Sequence, residues 1–376
     1  MKVMTVFGTR PEAIKMAPLV LALNKNPLIE SIVCVTGQHR EMLDQVLDLF
    51  QIKPDYDLNV MKSGQTLSEV TSRIVMKFQS ILDKDKPDII LVHGDTSTTF
   101  CAALTAYYNQ IDVGHVEAGL RTGNIFSPWP EEGNRKLVSC LAKLNFAPTE
   151  KSKQNLVNEG IDPEMVFTTG NTVIDALLLM ESKIKDNKSI STRLHNSFPM
   201  ISEERKVVLI TGHRRENFGG GFERICESIR RLAEKNTDVD FIYPVHLNPR
   251  VRAPVNQLLS NQENIHLIEP QGYLEFVFLM TQSHIILTDS GGIQEEAPAL
   301  GKPVLVMRDT TERPEAVSAG TVQLVGTEVE KIVNGVEALL TDSSLYEKMS
   351  RAHNPYGDGN SVNRIIQVLV KYGRND

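Results

Sequence analysis

Arg10, Asp95, Glu117 and His213 each stand one to three residues beyond an apolar run rich in β-branched residues. Lys15 lies one turn into the helical pattern that follows Arg10. Glu131 and Glu132 open another helix, and Arg313 falls in a loop after a later run. Parallel α/β sheets bind ligands beyond the carboxyl ends of their strands, so these are the side chains placed to do chemistry. The carboxylates suit proton transfer, because crowded carboxyl groups differ in acidity and offer an acid and a base at neutral pH. Arg10, Lys15, Arg313 and a protonated His213 suit a phosphate or another small anion. Each residue also has a plainer reading. Asp95 in Gly94-Asp95-Thr96 could cap a helix, Glu131 could fill a first helical turn, and Glu117 could pair with Arg121. His213 could bond a neighbouring loop, and Lys15 could be solvated. Their fall on one predicted rim favours the functional reading.

The stretch from Thr288 to Pro298 (Thr288-Asp289-Ser290-Gly291-Gly292-Ile293-Gln294-Glu295-Glu296-Ala297-Pro298) makes the anion site more specific. It follows the apolar run His284 to Leu287, which reads as a buried parallel strand. Ser290, Gly291 and Gly292 turn the chain, and a helix is predicted from Ile293. Free backbone N–H groups and the positive end of the helix dipole then face one point. Glu295 and Glu296 either stabilise that dipole or accept hydrogen bonds from ribose hydroxyls. Taken alone, the stretch indicates a phosphate without saying which.

The positioning elements alternate. In the first half, strands are predicted over 2–7, 31–36, 89–93, 113–116, 145–147 and 166–169. Helices are predicted after Arg10, where Pro18 should kink or interrupt the pattern, and over 41–50, 67–82, 98–108 and 131–141. The turn Gly37-Gln38-His39-Arg40 joins the second strand to its helix. The polar segment 181–206 reads as a boundary region. Alternation then restarts, with strands at 207–211, 241–244, 265–267, 284–287 and 304–307. Helices are predicted at 222–235, 274–280, 328–340 and 345–352, and a last one begins at Ser361. Strand–helix alternation with short loops means a parallel sheet with helices on both faces. The expectation is an α/β protein of two doubly wound Rossmann-like domains facing across a cleft, 1–172 and 173–360, with 361–376 packing back on the first.

Composition narrows the function. The chain has 376 residues, 41% of them apolar and 23% charged, which suits a globular protein of two domains. A net charge of −7 without a block of like charges disfavours a nucleic-acid partner. Cys34, Cys101, Cys140 and Cys226 are scattered and read as buried thiols in a reducing compartment, with neither a disulfide frame nor a metal site signalled. No charged-then-apolar leader precedes the first strand and no apolar run is long enough to cross a bilayer, so a cytoplasmic location without a membrane partner is expected. No G-x-G-x-x-G follows the first strand and no G-x-x-x-x-G-K-[ST] occurs, so no cofactor is expected.

Six motifs together carry a resemblance. They are Phe7-Gly8-Thr9-Arg10-Pro11-Glu12-Ala13-Ile14-Lys15, His93-Gly94-Asp95-Thr96, Gly114-His115-Val116-Glu117-Ala118-Gly119-Leu120-Arg121, Pro130-Glu131-Glu132, Thr211-Gly212-His213-Arg214-Arg215-Glu216 and Asp289-Ser290-Gly291-Gly292-Ile293-Gln294-Glu295-Glu296. In this order the chain resembles the bacterial non-hydrolysing UDP-N-acetylglucosamine 2-epimerases along essentially its whole length. The resemblance implies a glycosyltransferase-B-like fold and a homodimer that interconverts UDP-N-acetylglucosamine and UDP-N-acetylmannosamine for surface polysaccharide synthesis. It implies that Asp95, Glu117, Glu131 and His213 serve catalysis. It also implies that Arg10, Lys15, Gln271, Phe276, Ser290, Gly291, Gly292, Glu296 and Arg313 contact the nucleotide sugar. Some members bind a second UDP-N-acetylglucosamine as a regulator near the positions of Gln38, Glu41, Gly64, Gln65 and His246. Glu41 and Gly64 depart from the glutamine and arginine of the regulated members.

The family's route is elimination of UDP to 2-acetamidoglucal, followed by re-addition. The residues at hand suit it, with cations for the departing diphosphate and carboxylates for the C2 proton. A glycosyltransferase using UDP-N-acetylglucosamine, a hydrolysing epimerase and a catalytically silent nucleotide-sugar sensor stand as rival readings.

Overall fold

Among the described residues, each strand pairing is parallel. The structure is a computed structural model that describes residues 1–38, 40–62, 64–202 and 204–374. His39 of the turn expected after the second strand lies outside the described residues, as do Glu203 of the segment 181–206 and the last two residues of 361–376. The chain divides into two units, one of Met1–Ala176 with the segment from Tyr356 onward, the other of Leu177–Pro355.

In the first unit the elements run β1 (Lys2–Phe7), α1 (Arg10–Lys25), β2 (Glu30–Val35), α2 (Arg40–Phe50), β3 (Tyr56–Asp57), α3 (Leu67–Leu82), β4 (Ile89–His93), α4 (Ser97–Tyr108), β5 (Asp112–Val116), α5 (Glu131–Leu141), β6 (Leu144–Ala147), α6 (Glu150–Asn158), β7 (Val166–Thr168) and α7 (Thr172–Asp186). The sheet order is β3-β2-β1-β4-β5-β6-β7, so the winding reverses between β1 and β4. Strands such as β4 are buried along their whole length, which is why they read as unbroken apolar runs. Met4, Val6, Ile90 and Val92 of the sheet pack with Ile74 and Phe78 of α3 and Cys101 and Ala102 of α4 in one core cluster. The C-terminal helix Ser361–Tyr372 belongs to this unit and packs against α1.

The second unit holds α8 (Lys188–Ser197), β8 (Lys206–Thr211), α9 (Gly220–Lys235), β9 (Val239–Pro244), α10 (Pro249–Leu259), β10 (Ile265–Ile268), α11 (Tyr273–Gln282), β11 (Ile285–Thr288), α12 (Ile293–Glu296), β12 (Val304–Val306), α13 (Pro314–Ala319), β13 (Val322–Leu324), α14 (Val329–Thr341) and α15 (Ser343–Ser350). Its order, β10-β9-β8-β11-β12-β13, repeats the plan of the first sheet and reverses between β8 and β11. Its core joins Val208 and Ile210 of β8 to Ile225 and Ile229 of α9 and Ile332 and Val336 of α14.

Three local expectations change. Helix α1 is not interrupted at Pro18, which is buried together with Ala17, Leu19 and Val20, so that apolar burial offsets the missing N–H. Cys140 is exposed while the other three thiols are buried, because it sits on the outer side of α5. The segment 181–206 is largely helical, carrying the end of α7 and all of α8, and the units meet in sequence within α7 at Ala176 and Leu177. Among the described residues, no helix is long and apolar enough to cross a membrane, and no group of three or more His, Cys, Asp or Glu is arranged to hold a metal ion.

Candidate functional site

The first unit gathers Arg10, Lys15, Asp95 and Glu117 at the carboxyl ends of β1, β4 and β5, with Glu131 at the start of α5. Close backbone packing sets the first turn. A side chain on Gly8 would lie 1.9 Å from Thr36 Oγ1 and 2.6 Å from Thr98 Oγ1, so only glycine fits beneath Arg10. Glu12, fully buried, accepts from the Gly8 and Thr9 N–H groups at 3.0 and 2.8 Å and from the Thr96 hydroxyl at 2.7 Å. It thereby ties the turn after β1 to the turn after β4. Burial pushes its carboxyl up from the usual range, and these hydrogen bonds oppose that.

Glu117 is the most constrained of the group. Its φ of 61° lies in the left-handed region, which costs a side-chain-bearing residue roughly 1–2 kcal/mol. Lys15 Nζ forms an ion pair with its Oε2, both side chains being largely buried. Asn171 Nδ2 donates to the same oxygen at 2.7 Å, and His93 Nε2 lies 3.8 Å from it. Arg121, the alternative partner, bonds Glu159 at 2.8 Å and Ser139 at 2.9 Å instead. Burial pushes the His93 imidazole down to about 3 and that of His115 to about 4, so both rings are neutral at neutral pH. His115 Nε2 bonds the Gly94 carbonyl at 2.7 Å beneath the turn that carries Asp95.

Asp95 does not cap α4. Thr96 does, its hydroxyl accepting from the Thr99 N–H at 3.2 Å. The Asp95 carboxylate instead meets Arg135 Nη2 at 2.6 Å, and Asn134 Nδ2 donates to the Asp95 carbonyl at 2.8 Å. Glu132 is fully buried and accepts from the N–H groups of Thr122 and Gly123 and from Arg135, which makes it a structural anchor of the loop before α5. Its neighbour Glu131 has a buried Oε2 with no partner among the described residues.

The second unit builds the anion site at the ends of β8 and β11. Asp289, fully buried, accepts the N–H groups of His213 and Arg214 at 2.9 and 2.8 Å, which fixes the turn that presents His213. The Asp289 Oδ1 atom lies 3.8 Å from His213 Nδ1, and the His246 ring stacks on His213 at 5.2 Å. Burial holds His213 below the usual imidazole range; Asp289 opposes that, while His246 and Arg214 reinforce it. Protonation of His213, the condition for it to act as a cation, is therefore disfavoured at neutral pH.

Neither Gly291 nor Gly292 has a left-handed backbone. A side chain on Gly291 would meet Arg214 Nη2 at 3.4 Å and Arg313 Cζ at 3.9 Å, so the glycine leaves room for two guanidinium groups. The helix that follows is a single α turn, Ile293–Glu296, passing into a 3₁₀ segment. Its dipole is correspondingly small, and positive potential at this point rests on Arg214 and Arg313. Glu295 is buried and pairs with Arg313 Nε. Glu296 Oε1 accepts from the Tyr273 hydroxyl at 3.0 Å, which links α12 to α11, where Phe276 is half-buried in the first turn. Gln271 precedes that helix and bonds the Glu269 carbonyl at 2.6 Å. Gln38 accepts from the Thr98 hydroxyl at 3.3 Å, Glu41 lies exposed in α2, and Gly64 and Gln65 precede α3. His246 is exposed after β9.

Known proteins share this fold over nearly the whole chain. Residues 21–370 match the family model described as UDP-N-acetylglucosamine 2-epimerase. The chain belongs to the UDP-N-acetylglucosamine 2-epimerase family. It is 62% identical to a probable UDP-N-acetylglucosamine 2-epimerase of Ralstonia solanacearum over 371 residues, 99% of each chain. It is 59% identical to the UDP-N-acetylglucosamine 2-epimerase of Salmonella typhimurium, again over 99% of each. The crystal structure of UDP-GlcNAc 2-epimerase from Neisseria meningitidis bound to UDP-GlcNAc superposes with a TM-score of 0.91 at 58% identity, covering 99% of this chain and 100% of that one. The fold is the glycosyltransferase-B-like fold of these epimerases, and the chain is an enzyme of the isomerase class. Within this epimerase, sequence reasoning missed Glu12, His93, Arg135, Asn171, Arg214 and Asp289. Glu12, His93, Arg214 and Asp289 lie inside quoted motifs, and Arg135 stands one helical turn beyond Glu131, which was the available signal.

Proposed function

We propose that this protein interconverts UDP-N-acetylglucosamine and UDP-N-acetylmannosamine by inverting C2 through elimination and re-addition of UDP. The observation that carries this reading is the setting of Glu117: a carboxylate on strained backbone at the end of β5, paired with Lys15, with Asp95 and Glu131 on adjoining segments. The substrate is supported by the Neisseria meningitidis relative, solved with UDP-GlcNAc bound.

In the forward reaction a carboxylate removes the C2 proton while the C1–O bond breaks. Its electron pair leaves with the β-phosphate, and C1=C2 forms. Arg10, Lys15, His213, Arg313 and the N–H groups of Ser290 to Gly292 stabilise the departing diphosphate. Glu296 receives the ribose hydroxyls, and Gln271 and Phe276 contact the nucleotide. A proton then returns to the other face of C2 and the diphosphate oxygen re-adds to C1. Asp95, Glu117 and Glu131 divide the removal and return of the proton. The same reading makes the enzyme a cytoplasmic homodimer that supplies N-acetylmannosamine units for cell-surface polysaccharide.

The test is incubation with UDP-N-acetylglucosamine in D₂O, following C2 deuteration, sugar configuration and free UDP. Deuterated UDP-sugars of both configurations with little free UDP are expected. Stoichiometric UDP release would instead identify a hydrolysing epimerase, and no exchange would overturn the reading.

A further inference from the structure

Glu117 is bonded by Lys15 and Asn171 and flanked by two buried imidazoles, and the Asn171 contact has a chemistry that separates positioning from packing. Lys15 approaches from α1, His93 from the end of β4, His115 from β5 beneath the turn, and Asn171 from the turn between β7 and α7. Both imidazoles are neutral at neutral pH. Lys15 is thus the one cation, and Asn171 the one neutral amide, among these named neighbours.

The orientation of the Asn171 amide is set by its other bonds. Its Oδ1 accepts from the Val173 N–H at 3.1 Å at the start of α7, so Nδ2 must face Glu117, where it donates to Oε2 at 2.7 Å. The turn itself cannot shift freely. Asn171 N–H donates to the Tyr356 carbonyl at 2.7 Å, and Gly170, with φ of 88°, is wedged so that a side chain there would meet Ser361 Oγ at 2.6 Å. Asp175, one turn into α7, accepts the Val362 N–H at 3.1 Å, closing the frame around the same turn. Asn171 is 2% exposed, and such a buried amide is costly unless its donors are used. A backbone-anchored donor aimed at one carboxylate oxygen limits the rotation of the carboxylate.

We propose that Asn171 is a positioning residue for Glu117: it fixes the carboxylate's rotation and favours its charged form, while its other end caps α7. This rests on the epimerase reading of Glu117 given above. No group is transferred to or from Asn171.

Asn171→Asp separates the two roles. It keeps an oxygen for the Val173 N–H, and Asp is a good residue at a helix start. It replaces the donor facing Glu117 with a second carboxylate oxygen, and like charges disfavour ionisation. Because it buries a second carboxylate, the change should lower the unfolding midpoint, and kcat/KM of the folded enzyme at neutral pH should fall about 10- to 100-fold, the usual scale for an outer-shell partner. The pH–rate limb belonging to Glu117 should move about one unit or more to higher pH, measured from both UDP-sugars. Asn171→Ser, which retains a cap but is too short to reach Glu117, should lose rate without the full shift. Profiles of both variants superimposable on wild type would overturn the proposal and leave Asn171 a cap alone. A wild-type enzyme that exchanges no C2 hydrogen would overturn the underlying reading instead, which the D₂O assay detects separately.

Discussion

Arg135, within the second turn of α5, places one guanidinium nitrogen 2.6 Å from the Asp95 carboxylate and another 3.0 Å from the buried Glu132 carboxylate. One cation therefore joins the turn after β4, which bears a proposed proton-transfer group, to the loop before α5. Arg135→Gln should destabilise the protein by about 3 kcal/mol, because it strands the Glu132 charge in the interior. It should also lower kcat by releasing Asp95. Adding Glu132→Gln should recover much of the thermal stability and little of the activity. Thermal unfolding and turnover of both variants check this; recovery of both together would mean that Arg135 serves the fold alone.

Glu117→Gln keeps the shape of the side chain and removes its capacity to take or give a proton. Turnover should fall roughly 10²- to 10⁴-fold, the scale of one positioned acid or base. The ion pair with Lys15 is also lost, so the KM for the UDP-sugar should change as well. Steady-state kinetics in both directions provide the check, and near-normal turnover would remove Glu117 from the chemistry.

Two glycines should respond to alanine in opposite ways. Gly291→Ala adds a methyl group whose nearest neighbour is the mobile end of Arg214, at 3.4 Å, so stability should hardly change. Displaced guanidinium groups should weaken UDP binding about tenfold, or roughly 1.4 kcal/mol, as calorimetry would read it. Gly8→Ala instead drives a methyl group to 1.9 Å from Thr36 Oγ1 inside the core. That variant should lose about 3 kcal/mol or fail to fold.

Buried His93 and His115 set an acid limit on stability. Their folded values, about 3 and about 4, lie below the ordinary imidazole value of 6.5, so in between the unfolded chain binds protons that the folded chain does not. Stability should therefore be fully present above about pH 6.5 and fall as the pH drops toward 4. Each ring contributes a slope of about 1.4 kcal/mol per pH unit. Chemical denaturation between pH 6.5 and 5 should show a slope that is shallower in His115→Gln than in wild type by about 1 kcal/mol per unit.

Much of this was legible in the sequence because parallel strands are short apolar runs and the rule for ligand position is topological. β1, β4, β5, β8 and β11 are readable from their β-branched cores, and the polar residues after them fall at or next to the points where the sheets reverse. What stayed hidden has local causes. β3 has two residues, too few for a period, and α10 carries Pro249 and Pro254, which argue against a helix. The start of α12 at Ile293 was readable, but its end was not, since the chain passes into a 3₁₀ segment after Glu296. Partners of the site residues were the least readable part. Asn171 meets Glu117 across 54 residues of chain and Asp289 holds His213 across 76, and no spacing pattern encodes such distances.

The central claim is that the bond between C1 and the diphosphate breaks and re-forms in every turnover. UDP-N-acetylglucosamine carrying ¹⁸O in the bridge between C1 and the β-phosphorus tests it directly. Elimination lets the β-phosphate rotate before re-addition, so ³¹P spectra of recovered UDP-sugars should show the label spread into non-bridging positions at a rate comparable to epimerisation. Label that stays in the bridge while C2 inverts and exchanges its proton would contradict elimination.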